Sequence, residues 1–145
     1  MKIVLQRVGR ASVTVDNEIV GSIGKGYVAL LGVGEGDDKS KVEKMTDKIQ
    51  NLRIFPDENG KTNLSITEVG GGLLVISQFT LYADCRKGNR PSFINAADPA
   101  FAEELYEYFI EYATGKFNKV EHGVFGAHMD VELVNDGPFT VILED

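Results

Sequence analysis

Apolar and polar positions alternate with a short period over the first third of the chain. Lys2–Val8, Ala11–Val15, Glu18–Ile23 and Tyr27–Val33 are short apolar or alternating runs rich in Val and Ile, which predicts strands. Asp16-Asn17 and Gly24-Lys25-Gly26 separate them. These residue types tolerate the backbone of tight turns, so the runs are expected to pair as antiparallel hairpins. Asp37-Asp38-Lys39-Ser40 ends the pattern. Ser40 and Glu43 have capping-box spacing, and Val42, Met45, Ile49 and Leu52 then share one helical face. That predicts a helix ending near Arg53, before Pro56.

Residues 57–72 are polar and close on Gly70-Gly71-Gly72, a loop by composition. Leu73–Leu81 is a strongly β-like run, whereas Tyr82–Asn95 is polar and basic with Pro91 inside it, and is expected to be irregular. Asp98-Pro99 has the form of an N-cap followed by proline at the first helical position. Phe101, Leu105, Tyr108, Phe109 and Tyr112 form an aromatic stripe that reads as core packing, and Gly115 supplies the stop. Val120–Phe125, Met129–Val134 and Phe139–Leu143 complete the β segments. With no repeat, linker or low-complexity stretch, residues 1–145 are expected to form a single α+β domain with a dominant antiparallel sheet.

Composition narrows the function classes. The chain has 145 residues, 43% of them hydrophobic and 26% charged, which excludes intrinsic disorder. No apolar run approaches the roughly 18 residues of a membrane helix. The opening Met1-Lys2-Ile3-Val4-Leu5-Gln6-Arg7 has no signal-peptide pattern, and the single cysteine, Cys85, precludes an internal disulfide. A cytoplasmic protein is the expectation. Sixteen glycines exceed the usual share and imply many tight turns. The net charge of −7 repels polyanions, so a nucleic-acid partner requires a local basic patch.

Little in the chain suggests common catalytic machinery. His122 and His128 fall on neither helical nor strand spacing and Cys85 has no local partner, so no metal and no cofactor are expected. Gly-x-Ser-x-Gly is absent, and the glycines at 32, 34 and 36 read as a turn and not a phosphate cradle. Two segments stand out. In Ser77-Gln78-Phe79-Thr80 a period of two puts Gln78 and Thr80 on the face of Leu74 and Ile76, which suits either a polar pocket lip or a strand emerging into solvent. In Asn135-Asp136-Gly137-Pro138-Phe139-Thr140 a Gly-Pro turn separates two strand-like runs, and X-Pro is where cis peptides occur.

Taken together, Ser77-Gln78-Phe79-Thr80-Leu81, Arg90-Pro91-Ser92-Phe93 and Asn135-Asp136-Gly137-Pro138-Phe139-Thr140 resemble the signatures of the D-aminoacyl-tRNA deacylases. The resemblance extends to Gln6-Arg7-Val8 and to Gly123-Val124-Phe125-Gly126-Ala127-His128-Met129, and so covers the chain end to end. Ser-Gln-Phe-Thr at 77–80 places it with the main group and not with the sister group of animal deacylases. His128 departs from the acidic residue more usual there, outside both motifs.

The resemblance implies a compact antiparallel β-barrel-like sheet with two helices. It also implies a cytoplasmic homodimer that hydrolyses the ester of D-aminoacyl-tRNA and also accepts glycyl-tRNA, including glycine mischarged on the alanine tRNA. Active sites at the subunit interface would set Ser77, Gln78, Phe79 and Thr80 of one subunit against a cis Gly137-Pro138 element of the other, with Phe125 and Met129 beside the substrate. Arg7 is the candidate to hold that element.

A wall placed where an L side chain projects admits D-amino acids and glycine alike. Thr80 as nucleophile lacks a visible base, which favours backbone N–H groups and the ribose 2′-hydroxyl as the working parts. Arg86, Lys87 and Arg90 form the densest basic run and are the candidate tRNA contacts, with no membrane or DNA partner expected. A small-molecule D-amino-acid esterase and a non-catalytic binding module remain the alternatives.

Overall fold

The computed structural model describes residues 1–145 as one domain. Its main sheet has six strands: β1 (Lys2–Val15), β2 (Glu18–Ile23), β3 (Gly26–Gly32), β6 (Gly72–Ser77), β7 (Lys119–His122) and β8 (Asp130–Glu144). A small hairpin pairs β4 (Phe55–Pro56) with β5 (Thr62–Leu64). Two helices, α1 (Lys39–Asn51) and α2 (Pro99–Ala113), pack on the main sheet.

β1 organises the sheet. It pairs antiparallel with β2 and β3 along one edge and with β8 along the other. The two runs expected at Lys2–Val8 and Ala11–Val15 are one strand, because residues 6–10 bulge against β8 without interrupting the chain's direction. The bulge also switches faces. Ile3 and Leu5 enter the helix-covered core, whereas Val8, Ala11 and Val13 enter a second cluster with Ile23, Val28, Leu74 and Ile76.

Antiparallel pairing dominates, as expected, through β1 with β2, β3 and β8, while β3–β6 and β6–β7 pair parallel. Each connection passes through a helix, α1 before β6 and α2 before β7, and a crossover of that length returns the chain in the same direction. The far edges, β2 and β7, come close to closing a barrel. A Cβ on Gly21 would lie 2.8 Å from the His122 carbonyl, so only glycine permits this approach.

Several local expectations change for identifiable reasons. Asp38, and not Ser40, caps α1: its carboxylate accepts the Lys41 N–H at 2.9 Å. On α2 the buried face is Ala102, Leu105, Tyr106, Phe109 and Ala113, leaving Phe101 exposed. Leu105 and Phe109 of the aromatic stripe lie in this face, while Tyr108 and Tyr112 are half-buried beside it. Residues 57–72 contain β5, and the strand expected to reach Leu81 ends at Ser77. The turn expected at Gly137-Pro138 lies inside β8, as a bulge of residues 136–139 standing opposite Arg7 alone. The Gly137–Pro138 peptide bond is cis.

Asp37, the one buried carboxylate, ties the end of this sheet together. It accepts from the Met1 ammonium at 2.6 Å, the Gly34 N–H at 2.7 Å and Lys41 Nζ at 3.1 Å. A buried charge needs such partners to offset its lost hydration.

Candidate active site

β6 leaves the sheet after Ser77 and tightens into a 3-10 turn, Phe79–Tyr82. Gln78 N–H still donates to the Leu31 carbonyl at 2.8 Å, anchoring the turn to the end of β3. Two glycines make this seat possible. A Cβ on Gly32 would lie 3.0 Å from the Gln78 carbonyl, and one on Gly34 would overlap the Tyr82 hydroxyl and two carbons of its ring. The glycine-rich stretch read as a turn is therefore the bed of the Ser-Gln-Phe-Thr segment.

A pocket of about 480 Å³ opens beside the strand end. Ser77, Gln78 and Phe79 form one wall, Ala96, Ala97 and Pro99 another, and Phe125–Met129 a third. Its volume is that of a small-ligand site, and its lining is mostly apolar. Tyr106 lies at its base, donating from its hydroxyl to the Val75 carbonyl at 3.0 Å and packing its ring 5.7 Å from Phe125. Burial raises its pKa well above the ordinary tyrosine value, so the hydroxyl stays a neutral donor. Sequence reading missed Tyr106, although its spacing from Ala102 and Phe109 carries the helical signal.

The pocket gathers Ser77, Gln78, Phe79, Phe125 and Met129 in one lining. Thr80 sits just outside its lining, exposed, and its hydroxyl accepts a short hydrogen bond from the Gln78 amide. The alternation that put Gln78 and Thr80 on the face of Leu74 and Ile76 does not extend past Ser77, because the backbone is no longer a strand there. The Arg90–Phe93 segment comes to the same place. Phe93 meets Phe79 edge-on with centroids 5.0 Å apart, and Ser92 exchanges backbone bonds with Asp84. Phe79 keeps 58% of its surface exposed despite this contact.

In the basic loop, Lys87 and Arg90 are exposed, and Arg86 is held by Asp84 through Nε at 2.9 Å and Nη2 at 2.6 Å. That pairing lowers the Asp84 pKa to about 2. No group of three or more His, Cys, Asp or Glu is arranged to hold a metal ion.

The Gly137-Pro138 bulge is not part of this pocket within one chain. Arg7, the residue beneath the bulge, pairs with Tyr27 on β3, whereas the pocket begins at Leu31. The separation along the strand is about 13 Å. Arg7 does hold the bulge. Its Nε donates to the Asp136 carbonyl at 2.8 Å and lies 3.3 Å from the Asp136 carboxylate, while its guanidinium stacks 4.6 Å from the Phe139 ring centre. The Asn135 amide braces the other side, donating to the Arg7 carbonyl at 2.9 Å and the Phe139 carbonyl at 3.2 Å. Gly137 has no room for a Cβ, which would fall 2.0 Å from the Phe139 nitrogen.

Comparison with known proteins covers nearly the whole chain. The family model described as D-Tyr-tRNA(Tyr) deacylase matches residues 4–144. Curated proteins named D-aminoacyl-tRNA deacylase from Clostridioides difficile and Koribacter versatilis are each 56% identical over 144 residues, spanning 99% of this chain and 97% of theirs. A solved structure described as a c-Myc DNA unwinding element binding protein superposes with a TM-score of 0.94 at 42% identity, covering 100% of this chain and 99% of that one. Another, described as a probable eukaryotic D-amino acid tRNA deacylase, reaches a TM-score of 0.85 at 15% identity over 98% and 97% of the two chains. That identity speaks to fold alone.

Proposed function

The chain belongs to the D-Tyr-tRNA(Tyr) deacylase family, and on that premise we propose that its pocket takes the aminoacyl end of tRNA and that a second copy completes the site. The protein is a D-aminoacyl-tRNA deacylase, a hydrolase that cleaves the ester between a D-amino acid and tRNA. Its place of work is the cytoplasm, where tRNA is charged. No helix is long and apolar enough to cross a membrane.

The observation that carries the two-copy reading is the separation of pocket and bulge on one chain. The Gly137-Pro138 bulge is braced from both sides yet lies outside the lining of this pocket on its own subunit. Supplied by a partner, it stands over Ser77–Phe79 as a backbone wall where an L side chain would project. D-amino acids and glycine pass such a wall alike, which extends the activity to glycyl-tRNA, including glycine on the alanine tRNA. β8 favours a covering partner: it pairs only with β1, and its Val134 and Ile142 are 43% and 66% exposed.

For the chemical step, the opening N–H groups of the 3-10 turn, Phe79 and Thr80, precede its first internal hydrogen bond and are free to polarise the ester carbonyl. Thr80 finds Gln78 as its hydrogen-bond partner and no base. Thr80 and Gln78 therefore orient the substrate, and the ribose 2′-hydroxyl assists the attacking water. Lys87 and Arg90 hold the RNA backbone, with Arg86 shaping their loop. The DNA binding named for one solved neighbour is not extended to this chain, whose net charge is −7.

Side-by-side deacylation of D-, L- and glycyl-tRNA tests the reading, with light scattering on the same preparation. Hydrolysis of the D and glycyl esters by a dimer is the expected result. Full activity from a monomer, or hydrolysis of the L ester at the same rate, would refute it. Equal turnover of a free D-amino-acid ester would point to the small-molecule esterase, and binding without turnover to the non-catalytic module.

A further inference from the structure

Arg7 is held from beneath as firmly as it holds the bulge above. Its Nη1 donates to the Ile54 carbonyl at 2.5 Å, and its guanidinium carbon lies 6.0 Å from the centre of the Phe55 ring. Phe55 is fully buried and stacks on Tyr27 with centroids 5.0 Å apart and planes inclined by 27°. Phe55 thus contacts both Tyr27 and Arg7, which are cross-strand neighbours on β3 and β1, and Arg7 in turn contacts Phe139, with only 12% of its side chain exposed. Phe55 opens the β4–β5 hairpin and Ile54 immediately precedes it, and Arg53 pins the hairpin by donating from Nε to the Asn63 carbonyl at 2.7 Å.

We propose that Phe55, presented by the β4–β5 hairpin, is a specificity-determining positioning residue that sets Arg7 and, through it, the height of the Gly137-Pro138 wall. It touches no substrate. A guanidinium is planar, and two hydrogen bonds, to Ile54 and Asp136, fix its ends while leaving its tilt free. The two rings fix that tilt, Phe55 from below and Phe139 from above. Without the lower ring, Arg7 settles into the vacated space and draws Asp136 with it. Exclusion of an enantiomer depends on a wall that does not yield, so a small displacement admits the L side chain.

This inference rests on the proposed role of the bulge, and the test separates the two. The measurement is the ratio of kcat/KM for D- and L-forms of one aminoacyl-tRNA. Phe55→Leu is expected to lower that ratio about tenfold or more by allowing the L ester to turn over, and Phe55→Tyr, which keeps the ring, to retain it. Phe109→Leu, also fully buried but on α2, is the control for lost stability and should leave the ratio unchanged. Phe55→Met carries the same expectation if the leucine variant does not fold. If Arg7→Lys and Gly137→Ala collapse the ratio while neither Phe55 variant moves it, the hairpin is only a fold element and the inference fails alone. If Arg7→Lys and Gly137→Ala leave the ratio intact, the bulge is not the filter and both readings fall.

Discussion

Arg86 and Asp84, two positions apart, bind each other through both guanidinium edges, with Nε at 2.9 Å and Nη2 at 2.6 Å from the carboxylate oxygens. The same carboxylate accepts the Arg86 N–H at 3.0 Å, closing a tight loop at the edge of the candidate site. The densest basic run in the chain is therefore not three equivalent cations.

Lys87→Ala and Arg90→Ala are each expected to flatten the salt dependence of tRNA binding. Each lost phosphate contact lowers the slope of log K against log salt by about 0.7–0.9. Arg86→Ala should act differently, loosening the loop and freeing Asp84 as a repulsive charge. Titrations of binding against salt for the three variants check this, and identical slopes for all three would contradict it.

The pairing is also acid-sensitive. Hydrogen bonds from Arg86 depress the Asp84 pKa to about 2 from the ordinary 3.8. A depressed carboxylate contributes order that is fully present above its unfolded pKa and disappears as pH falls through the folded one. The 84–92 loop should thus hold down to about pH 4 and open between there and about pH 2. Amide exchange at Asp84 and Ser92, which bond each other, reports the opening. Arg86→Ala should remove the transition.

Thr80→Val separates the two chemistries at the ester. If the hydroxyl only orients, the valine keeps the branched shape and costs about one hydrogen bond, roughly ten- to thirtyfold in kcat/KM. A tRNA ending in 2′-deoxyadenosine should lose far more. A dead valine variant, with rapid hydrolysis of the 2′-deoxy substrate, would instead make Thr80 the nucleophile.

Gly34→Ala should harm activity through the turn it seats. Its Cβ would lie within 2.7 Å of the Tyr82 ring, a rigid obstacle that must move together with Thr80. Overpacking of this kind costs about 1–3 kcal/mol. Denaturant unfolding together with D-aminoacyl-tRNA turnover checks it, and turnover equal to the parent's would show that the turn tolerates displacement.

Tyr27→Phe is expected to be neutral or stabilising by up to about 1 kcal/mol. The Tyr27 hydroxyl is buried without a hydrogen-bond partner, and burial pushes its pKa far above the usual value. Deleting an unsatisfied buried hydroxyl removes a desolvation cost and keeps the ring that stacks on Phe55. Thermal unfolding measures it, and a large loss of stability would reveal a partner, such as a buried water.

Local chemistry was legible in the order of residues. Asp98-Pro99 opens α2, Gly115 follows its end with φ +89°, and Val42, Met45 and Ile49 face the core, because capping, backbone freedom and helical period act within a few residues. The segments Ser77–Thr80, Arg90–Phe93 and Asn135–Thr140 were recognisable for the same reason. Their joint placement was not. That β3 and β6 run parallel, that Gly32 and Gly34 make room for Gln78 and Tyr82 on either side of Thr80, and that Phe55 lies against Arg7 are contacts between residues far apart in the chain. The switch of faces in β1 arises from its pairing with β8, more than a hundred positions away. Sequence determined which elements form and where their backbone can bend, since those preferences are local. Only the tertiary structure decided which polar groups meet, because burial and register are set by packing between whole elements.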